Sequence, residues 1–399
     1  MQQITRRDFT ALVAGAAAAS AASGCRSLCD AGGGYSVSVL GDMHYDVAPP
    51  ETYHAAAIAK WSATGAHPSR LKEFTRNAAM WQGVCGRILD ASSRTVRRDA
   101  AFALQLGDLV QGDCESDDLH RRMLTEGLGL LERAYPDLPK VTLCGNHDIR
   151  EGDSEKGAAR AYAGRVLPWQ AAELRRFPGA NVEATTFGFR CGPDLWIVMD
   201  FNYADRDMGI VKRLLADNVD ARYTFVATHG PVLPMDMWRC RWFYLGAGVH
   251  DALRREMREL FAKRRVIVLA GHVHTLELKD WFGDGGRITE IVLNTCAGKT
   301  GGGFHPAEPK PFSETPEDFG AWTEGPDAAN GLYLNKPLRS AADLKSVYGE
   351  YRPGLRRRLS YWAVGHHVLR VSGAGVELDY YGHDSLSPTR TFVLREGRA

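Results

Sequence analysis

Apolar positions in this chain come in short runs, and most of those runs stop at a polar cluster of similar make-up. Tyr35–Leu40 alternates and ends at Gly-Asp-Met-His; Ala101–Leu106 ends at Gly-Asp-Leu-Val. Lys140–Cys144 ends at Gly-Asn-His-Asp, Tyr223–Thr228 at His-Gly-Pro and Arg265–Ala270 at Gly-His-Val-His. Runs of this length bounded by turn residues read as strands. Helical spacing falls between them, at about Leu71–Arg97, Leu119–Ala134 and Asp251–Lys263. Further strands are expected at Glu183–Arg190, Leu195–Met199, Leu276–Phe282, Arg287–Leu293, Tyr361–Val371, Val376–Tyr381 and Thr389–Leu394. Strands alternating with helices predict an α/β fold. So many strands predict two packed mixed β-sheets flanked by helices. No internal repeat is visible. Lys299–Ser340 is the least regular stretch, and strand patterns resume after it. It therefore reads as a long insertion, at about 299–340, within one domain of residues 35–399.

Composition narrows the class. Over 399 residues, 44% are hydrophobic and 24% charged, which excludes a disordered chain, a fibre or a coiled coil. Basic residues number 49 and acidic ones 48, so the net charge of +1 gives no support to a nucleic-acid track, and no nucleic-acid partner is expected. Beyond the N-terminus no run approaches the roughly 18 apolar residues of a membrane span. The eight cysteines include no Cys-x-x-Cys pair, which argues against a zinc knuckle or a thioredoxin-type motif.

The first residues read as an address. Thr5-Arg6-Arg7-Asp8-Phe9 precedes an Ala-rich run to Ala22, then Ser23-Gly24-Cys25. This resembles a twin-arginine export signal ending in a lipobox. Residues 1–24 are thus expected to be a signal peptide, with Cys25 acylated and residues 25–34 a flexible tether. The protein would sit at the periplasmic or outer face of a bacterial membrane, touching the membrane through the anchor alone. Removing residues 1–24 takes away Arg6, Arg7 and Asp8 and leaves 47 basic and 47 acidic residues. Seven cysteines besides Cys25 cannot all pair within the chain.

Chemistry concentrates at the strand ends, where open α/β sheets bind ligands. Asp42 and His44, then Asp108, then Asn146, His147 and Asp148, then His229, then His272 and His274 each follow an apolar run. Residues two apart point the same way in a strand. Asp-x-His and His-x-His can therefore aim two ligands at one point. Imidazole with carboxylate suits zinc, manganese or iron. These groups are too many for one tetrahedral ion and suit two ions sharing a carboxylate.

In that order the motifs resemble the calcineurin-like metallophosphoesterases. The resemblance implies an αββα sandwich with two metal ions, divalent or trivalent, at the strand ends. Asp42, His44 and His274 would bind the first and Asn146, His229 and His272 the second, with Asp108 bridging. His147 would face the substrate as a general acid. Two adjacent cations lower the pKa of a shared water, so hydroxide forms near neutral pH and attacks a phosphate ester in line. No Gly-x-Ser-x-Gly or Gly-x-x-x-x-Gly-Lys-Ser/Thr motif suggests another chemistry. Three residues after Asp108 stands Gln111, where purple acid phosphatases carry a Tyr and protein phosphatases an Asp. The resemblance therefore does not supply the usual partner of His147 at this position, and Asp148 and Asp113 are the candidates for that role. Arg150 could hold a phosphate oxygen. The chain departs from both types and is nearer to bacterial exported phosphatases and phosphodiesterases.

Three long segments leave the motif ends: Val47–Arg70, Pro231–Val249 and Lys299–Ser340. They are expected to form a partial lid with Trp238, Trp242, Phe243 and Tyr244 among its apolar contacts, so that the substrate is a small or medium organic phosphate. Monoester and diester both stand at this point. The rival readings are a metal-dependent nuclease on the same fold and a non-catalytic metal-binding scaffold. His366 and His367 are expected to be structural.

Overall fold

The computed structural model describes residues 34–150, 157–201, 205–235, 250–296 and 340–397, with short pieces at 299–300, 303–304, 308–313, 315, 332–333 and 336–337. The expected signal peptide, Cys25, nearly all of the tether, and Trp238, Trp242, Phe243 and Tyr244 lie outside the described residues.

In chain order the first half comprises β1 (Tyr35–Leu40), α1 (Glu51–Thr64), α2 (Pro68–Met80), a π-type turn at Trp81–Cys85, α3 (Gly86–Arg94), β2 (Ala100–Gln105), α4 (Asp117–Ala134), β3 (Lys140–Thr142), α5 (Ala158–Glu173), β4 (Phe187–Cys191) and β5 (Asp194–Met199). Then follow α6 (Asp205–Asp217), β6 (Thr224–Thr228), α7 (Asp251–Lys263), β7 (Ile267–Ala270), β8 (Leu276–Gly283) and β9 (Gly286–Val292). Short strands β10 (Lys299–Thr300), β11 (Gly303–Phe304), β12 (Lys310–Ser313), β13 (Leu332–Tyr333) and β14 (Lys336–Pro337) lead to α8 (Ala341–Tyr351). The chain closes with β15 (Leu355–Trp362), β16 (Gly365–Ser372), β17 (Gly375–Gly382) and β18 (Arg390–Glu396).

Two mixed sheets result. The first has the order β18-β17-β16-β1-β2-β3 and the second β12-β15-β8-β9-β7-β6-β5-β4. Each sheet has a parallel part: β1, β2 and the edge strand β3 in one, and the central strands β5, β6, β7 and β9 in the other. Their inner faces bury Val37, Phe102, Leu104, Trp196, Phe225, Leu269, Ile291 and Leu369 against each other. Phe102 meets Trp196 edge to face at 4.9 Å, the favoured geometry for aromatic pairs. Helices cover the outer faces. Met208, Val211, Met257, Phe261, Tyr348 and Tyr351 pack on the larger sheet, and Leu124, Leu128, Leu131 and Val166 on the smaller. β1 is buried on both faces, as parallel strands between layers are.

Local chemistry explains the clearest helix. The Ser116 side chain accepts the Leu119 N–H at the start of α4, and Asp117 and Asp118 occupy the first turn.

Three sequence expectations change. The run Tyr361–Val371 is not one strand. The chain turns at Ala363-Val364 and passes from β15 in one sheet to β16 in the other. Both segments are buried, so periodicity carries no trace of the crossing. The expected helix Leu71–Arg97 is two helices joined by the π-type turn. Val47–Arg70, expected as a loop, contains α1, whose Ala57 and Trp61 pack on Phe74 of α2.

Candidate metal centre

The loops that leave β1, β2, β3, β6 and β7 meet at one end of the sandwich. Their backbones are held in unusual conformations. His44, Asp108, His272 and His274 all have positive φ, at 44°, 51°, 71° and 59°. Such non-glycine geometry is costly and clusters at functional sites. Gly107, at φ 86°, is required by packing as well, because a Cβ there would lie 2.7 Å from Nδ1 of His229. At Gly145 a Cβ would lie 2.2 Å from the Asp108 backbone nitrogen. These contacts explain why Gly precedes Asp108 and Asn146.

Two groups of ligand atoms form. Asp42, His44, Asp108 and His274 place one donor atom each within 4.8 Å of one another, and so do Asp108, His229 and His272. Asp108 is common to both. The His44 and His274 Nε2 atoms face each other at 3.0 Å. His229 Nε2 lies 3.2 Å from an Asp108 oxygen and 3.2 Å from Asn146 Oδ1. His229 donates Nδ1–H to the Leu106 carbonyl at 2.8 Å, which turns Nε2 toward the centre. Both Asp42 oxygens accept the His272 N–H at 2.9 Å.

The electrostatics point to missing positive charge. Burial pushes Asp42 up to about 7 and His44 down to about 4. Against the cost of its own burial, His229 is pulled by Asp108 up to about 9. Among the described residues, no Lys or Arg pairs with Asp42 or Asp108. Buried carboxylates that face imidazole nitrogens, with no Lys or Arg paired to them among the described residues, fit metal ions.

His147 lies beside this centre, its ring 4.3 Å from that of His44. Its N–H donates to Asp108 at 2.7 Å. Its Nδ1–H donates to the Gln111 carbonyl at 2.8 Å, and its Nε2 accepts from Arg150 at 2.9 Å. Burial and the Arg150 charge hold His147 well below its ordinary value, so it is neutral. This corrects two expectations. The orienting partner is a backbone carbonyl rather than Asp148 or Asp113, and a protonated His147 is not the resting form. Asp148 instead accepts the N–H groups of Val110 and Gly145, tying the loops after β2 and β3 together. Asp113 acts on Arg150, at 2.7 Å, and on Arg70, at 3.3 Å.

The sequence reading missed the contribution of α2. Glu73 receives Arg150 at 3.2 Å, Asn77 bonds the Gln111 side chain, and Trp81 donates to the carbonyls of Met43 and His44. Glu73, Asn77 and Trp81 are spaced i, i+4, i+8, on one helical face. That stripe of polar residues was the available signal.

The model of the calcineurin-like phosphoesterases matches residues 35–276. The chain belongs to this family. No curated protein matches it. Among solved structures, the metallophosphoesterase resembles the purple acid phosphatase PPD1 of yellow lupin, at 13% identity and TM-score 0.51, over 92% of this chain and 54% of that one. GAP50, the anchor in the inner membrane complex of Plasmodium, aligns at 11% identity and TM-score 0.46, over 92% and 90%. A dimetal phosphatase from Danio rerio aligns at 10% identity and TM-score 0.43, over 91% and 99%. At 13% identity the likeness to the lupin enzyme speaks for the fold alone. Family membership makes this metallophosphoesterase a metal-dependent hydrolase of phosphate esters.

Proposed function

We propose that the protein hydrolyses a small or medium organic phosphate, monoester or diester, at a centre of two ions chosen from zinc, manganese and iron. Asp42, His44 and His274 hold one ion, Asn146, His229 and His272 the other, and Asp108 bridges. The observation that carries this division is the Asp108 carboxylate, which reaches both groups of ligand atoms. When bound, the ions supply Lewis acidity toward an attacking water and toward the phosphate oxygens.

The protein's own residues do the rest. Arg150, fixed by Glu73 and Asp113, presents a guanidinium next to His147 and meets a phosphate oxygen. When Arg150 turns to the phosphate, His147 Nε2 is released to take up a proton from solvent and give it to the leaving oxygen. The α1–α2 hairpin forms one wall of the site through Arg70, Glu73 and Trp81, which supports a pocket for a limited substrate rather than a folded protein. Trp238 and Trp242 are proposed for the facing wall.

We further propose export by the twin-arginine route and anchoring through acylated Cys25. Arg6→Lys with Arg7→Lys should block export, and Cys25→Ser should release the protein from membranes.

The reading is tested with purified, metal-analysed protein on p-nitrophenyl and bis-p-nitrophenyl phosphate, nucleotides and glycerophosphodiesters. Activity lost on chelation and restored by one of the three metals is expected. Full activity after exhaustive chelation overturns it.

A further inference from the structure

The end of the sandwich opposite the metal centre carries a charged cavity that hydrolysis does not use. Its volume is about 660 Å³. The start of β6, the α7–β7 turn, the β8–β9 hairpin and the end of β18 line it. It lies at least the length of β6, about 16 Å, from His229. Six basic side chains face it: Arg222, Lys263, Arg264, Arg265, Arg287 and Arg395. Glu396 is the acidic residue in its lining.

Among the described residues, half of these side chains form no salt bridge. Arg222 is held by Asp194, Arg287 by Asp280 and Lys263 by Glu259. Arg264 donates only to the Asn218 carbonyl, and Arg265 has no side-chain partner among the described residues. Arg395 bonds the Arg265 carbonyl and the Thr289 hydroxyl, and its Nε has no partner. Burial and the charge of Arg287, with that of Arg265, bring Arg395 down to about 10 against the pull of Asp280. Like charges gathered this closely fit an anion placed between them.

The same end is apolar at its rim. The large apolar side chains exposed among the described residues are Val219, Phe282, Leu386 and Val393. Val219 and Phe282 line this cavity. Val393 lines a second one of about 400 Å³, which shares Arg395 and Glu396 with the first. Gly34, where the chain enters the described structure, also lines that second cavity. The nine Cα–Cα steps from Cys25 to Gly34 span at most about 30 Å. An acyl group on Cys25 would thus hold a bilayer within about 30 Å of this face.

We infer that this base is a membrane-docking surface, in which the phosphate of an anionic phospholipid enters the arginine cavity while Val219, Phe282 and Val393 meet the interface. The metal centre then faces away from the bilayer, open to soluble substrate. The anchor reading enters only in deciding which end meets the membrane, and the phosphoesterase reading does not enter at all.

The test is vesicle sedimentation with the full chain carrying Cys25→Ser, so that no acyl group contributes. Vesicles are neutral phosphatidylcholine, with and without a major fraction of phosphatidylglycerol. Binding to the anionic vesicles alone is expected, weakened by salt. Lys263→Gln with Arg265→Asn should lower it about 10-fold or more. Asn is chosen because it tolerates the left-handed backbone at Arg265, φ 51°. Val219→Ser with Phe282→Ser, at two exposed positions, gives a second variant that should weaken binding at an unchanged unfolding midpoint. Arg121→Gln with Arg160→Gln, at the metal end, should leave binding intact. Equal binding to neutral vesicles, equal loss in the control pair, or binding of inorganic phosphate without any binding of vesicles would each overturn the inference. Its failure leaves hydrolysis and Cys25 release standing, because each is read in a separate assay.

Discussion

Glu277, Lys279, Glu290 and Arg358 are buried as deeply as Asp42, Asp108 and His229, and both clusters adjoin the segment around His229. Lys279 lies 3.0 Å from Glu290 and 3.6 Å from Glu277, and Arg358 lies 3.5 Å from Glu277. Two acids thus face two bases. Glu290 accepts the N–H groups of Val232 and Leu233, and Lys279 donates to the carbonyls of Leu233 and Pro234. This cluster carries its own counter-ions and uses them to fix the loop that follows His229. At the metal centre the same depth of burial comes with carboxylates and imidazoles but, among the described residues, no Lys or Arg on Asp42 or Asp108. Buried acid alone does not mark a metal site. Buried acid shared among several imidazoles, as Asp108 is between His44 and His229, does.

The largest expected effect separates the clusters by function. Asp108→Ala should lower kcat/KM at least about 10³-fold, some 4 kcal/mol of transition-state stabilisation, with loss of metal. A variant with wild-type rate and metal content would remove the bridge from the account.

Lys279→Met should act on the fold instead. Leaving Glu277 and Glu290 buried with one cation fewer should cost about 3–5 kcal/mol in urea unfolding, with metal or with chelator. If the loss appears only in the metal-loaded protein, the two clusters are one network and the contrast fails.

Asp42→Asn sharpens the difference from the other side. Saturating metal should stabilise the wild type by about 2.7 kcal/mol or more at 100 times Kd. In the variant that gain should shrink, while stability in chelator stays equal or rises, because a buried charge has gone. A clear loss in chelator would mean that Asp42 is a structural acid like Glu290.

His147 offers a smaller split. His147→Gln should leave metal content intact and lower kcat more for alkyl than for aryl esters. Equal losses would assign His147 to positioning alone, in keeping with its neutral state beside Arg150.

The smallest effect concerns two buried histidines outside the metal centre, His366 and His367. Burial brings His367 down to about 3 and His366 down to about 4. Both values lie below the roughly 6.5 of an unfolded chain. Their stabilising contribution is therefore full above pH 6.5 and is lost as pH falls toward the folded values. At pH 5.5, His367 should account for about 1.4 kcal/mol of that loss, and His367→Gln should flatten the slope in chelator. An unchanged slope would show that His367 is not buried as described.

Much of the candidate site was legible because apolar run, polar cluster and glycine stand next to each other in the chain. Asp42, Asp108, Asn146, His229 and His272 all follow strand ends, and parallel central strands bring such ends together. What was not legible depends on partners far apart in sequence. Glu73, Asn77 and Trp81 look like an ordinary solvated helix face until α2 docks on the loop after β2. The partner of His147 is a backbone carbonyl, which no residue type reveals. The crossing within Tyr361–Val371 was hidden because both sheets bury the same kind of side chain.

The most direct test of the central claim is anomalous scattering from crystals of the metal-loaded protein. Two peaks about 3.5–4 Å apart are expected, both within bonding distance of Asp108. One group of peaks should fall among Asp42, His44 and His274, the other among Asn146, His229 and His272. A single fully occupied peak in protein that retains full activity would contradict the dinuclear centre.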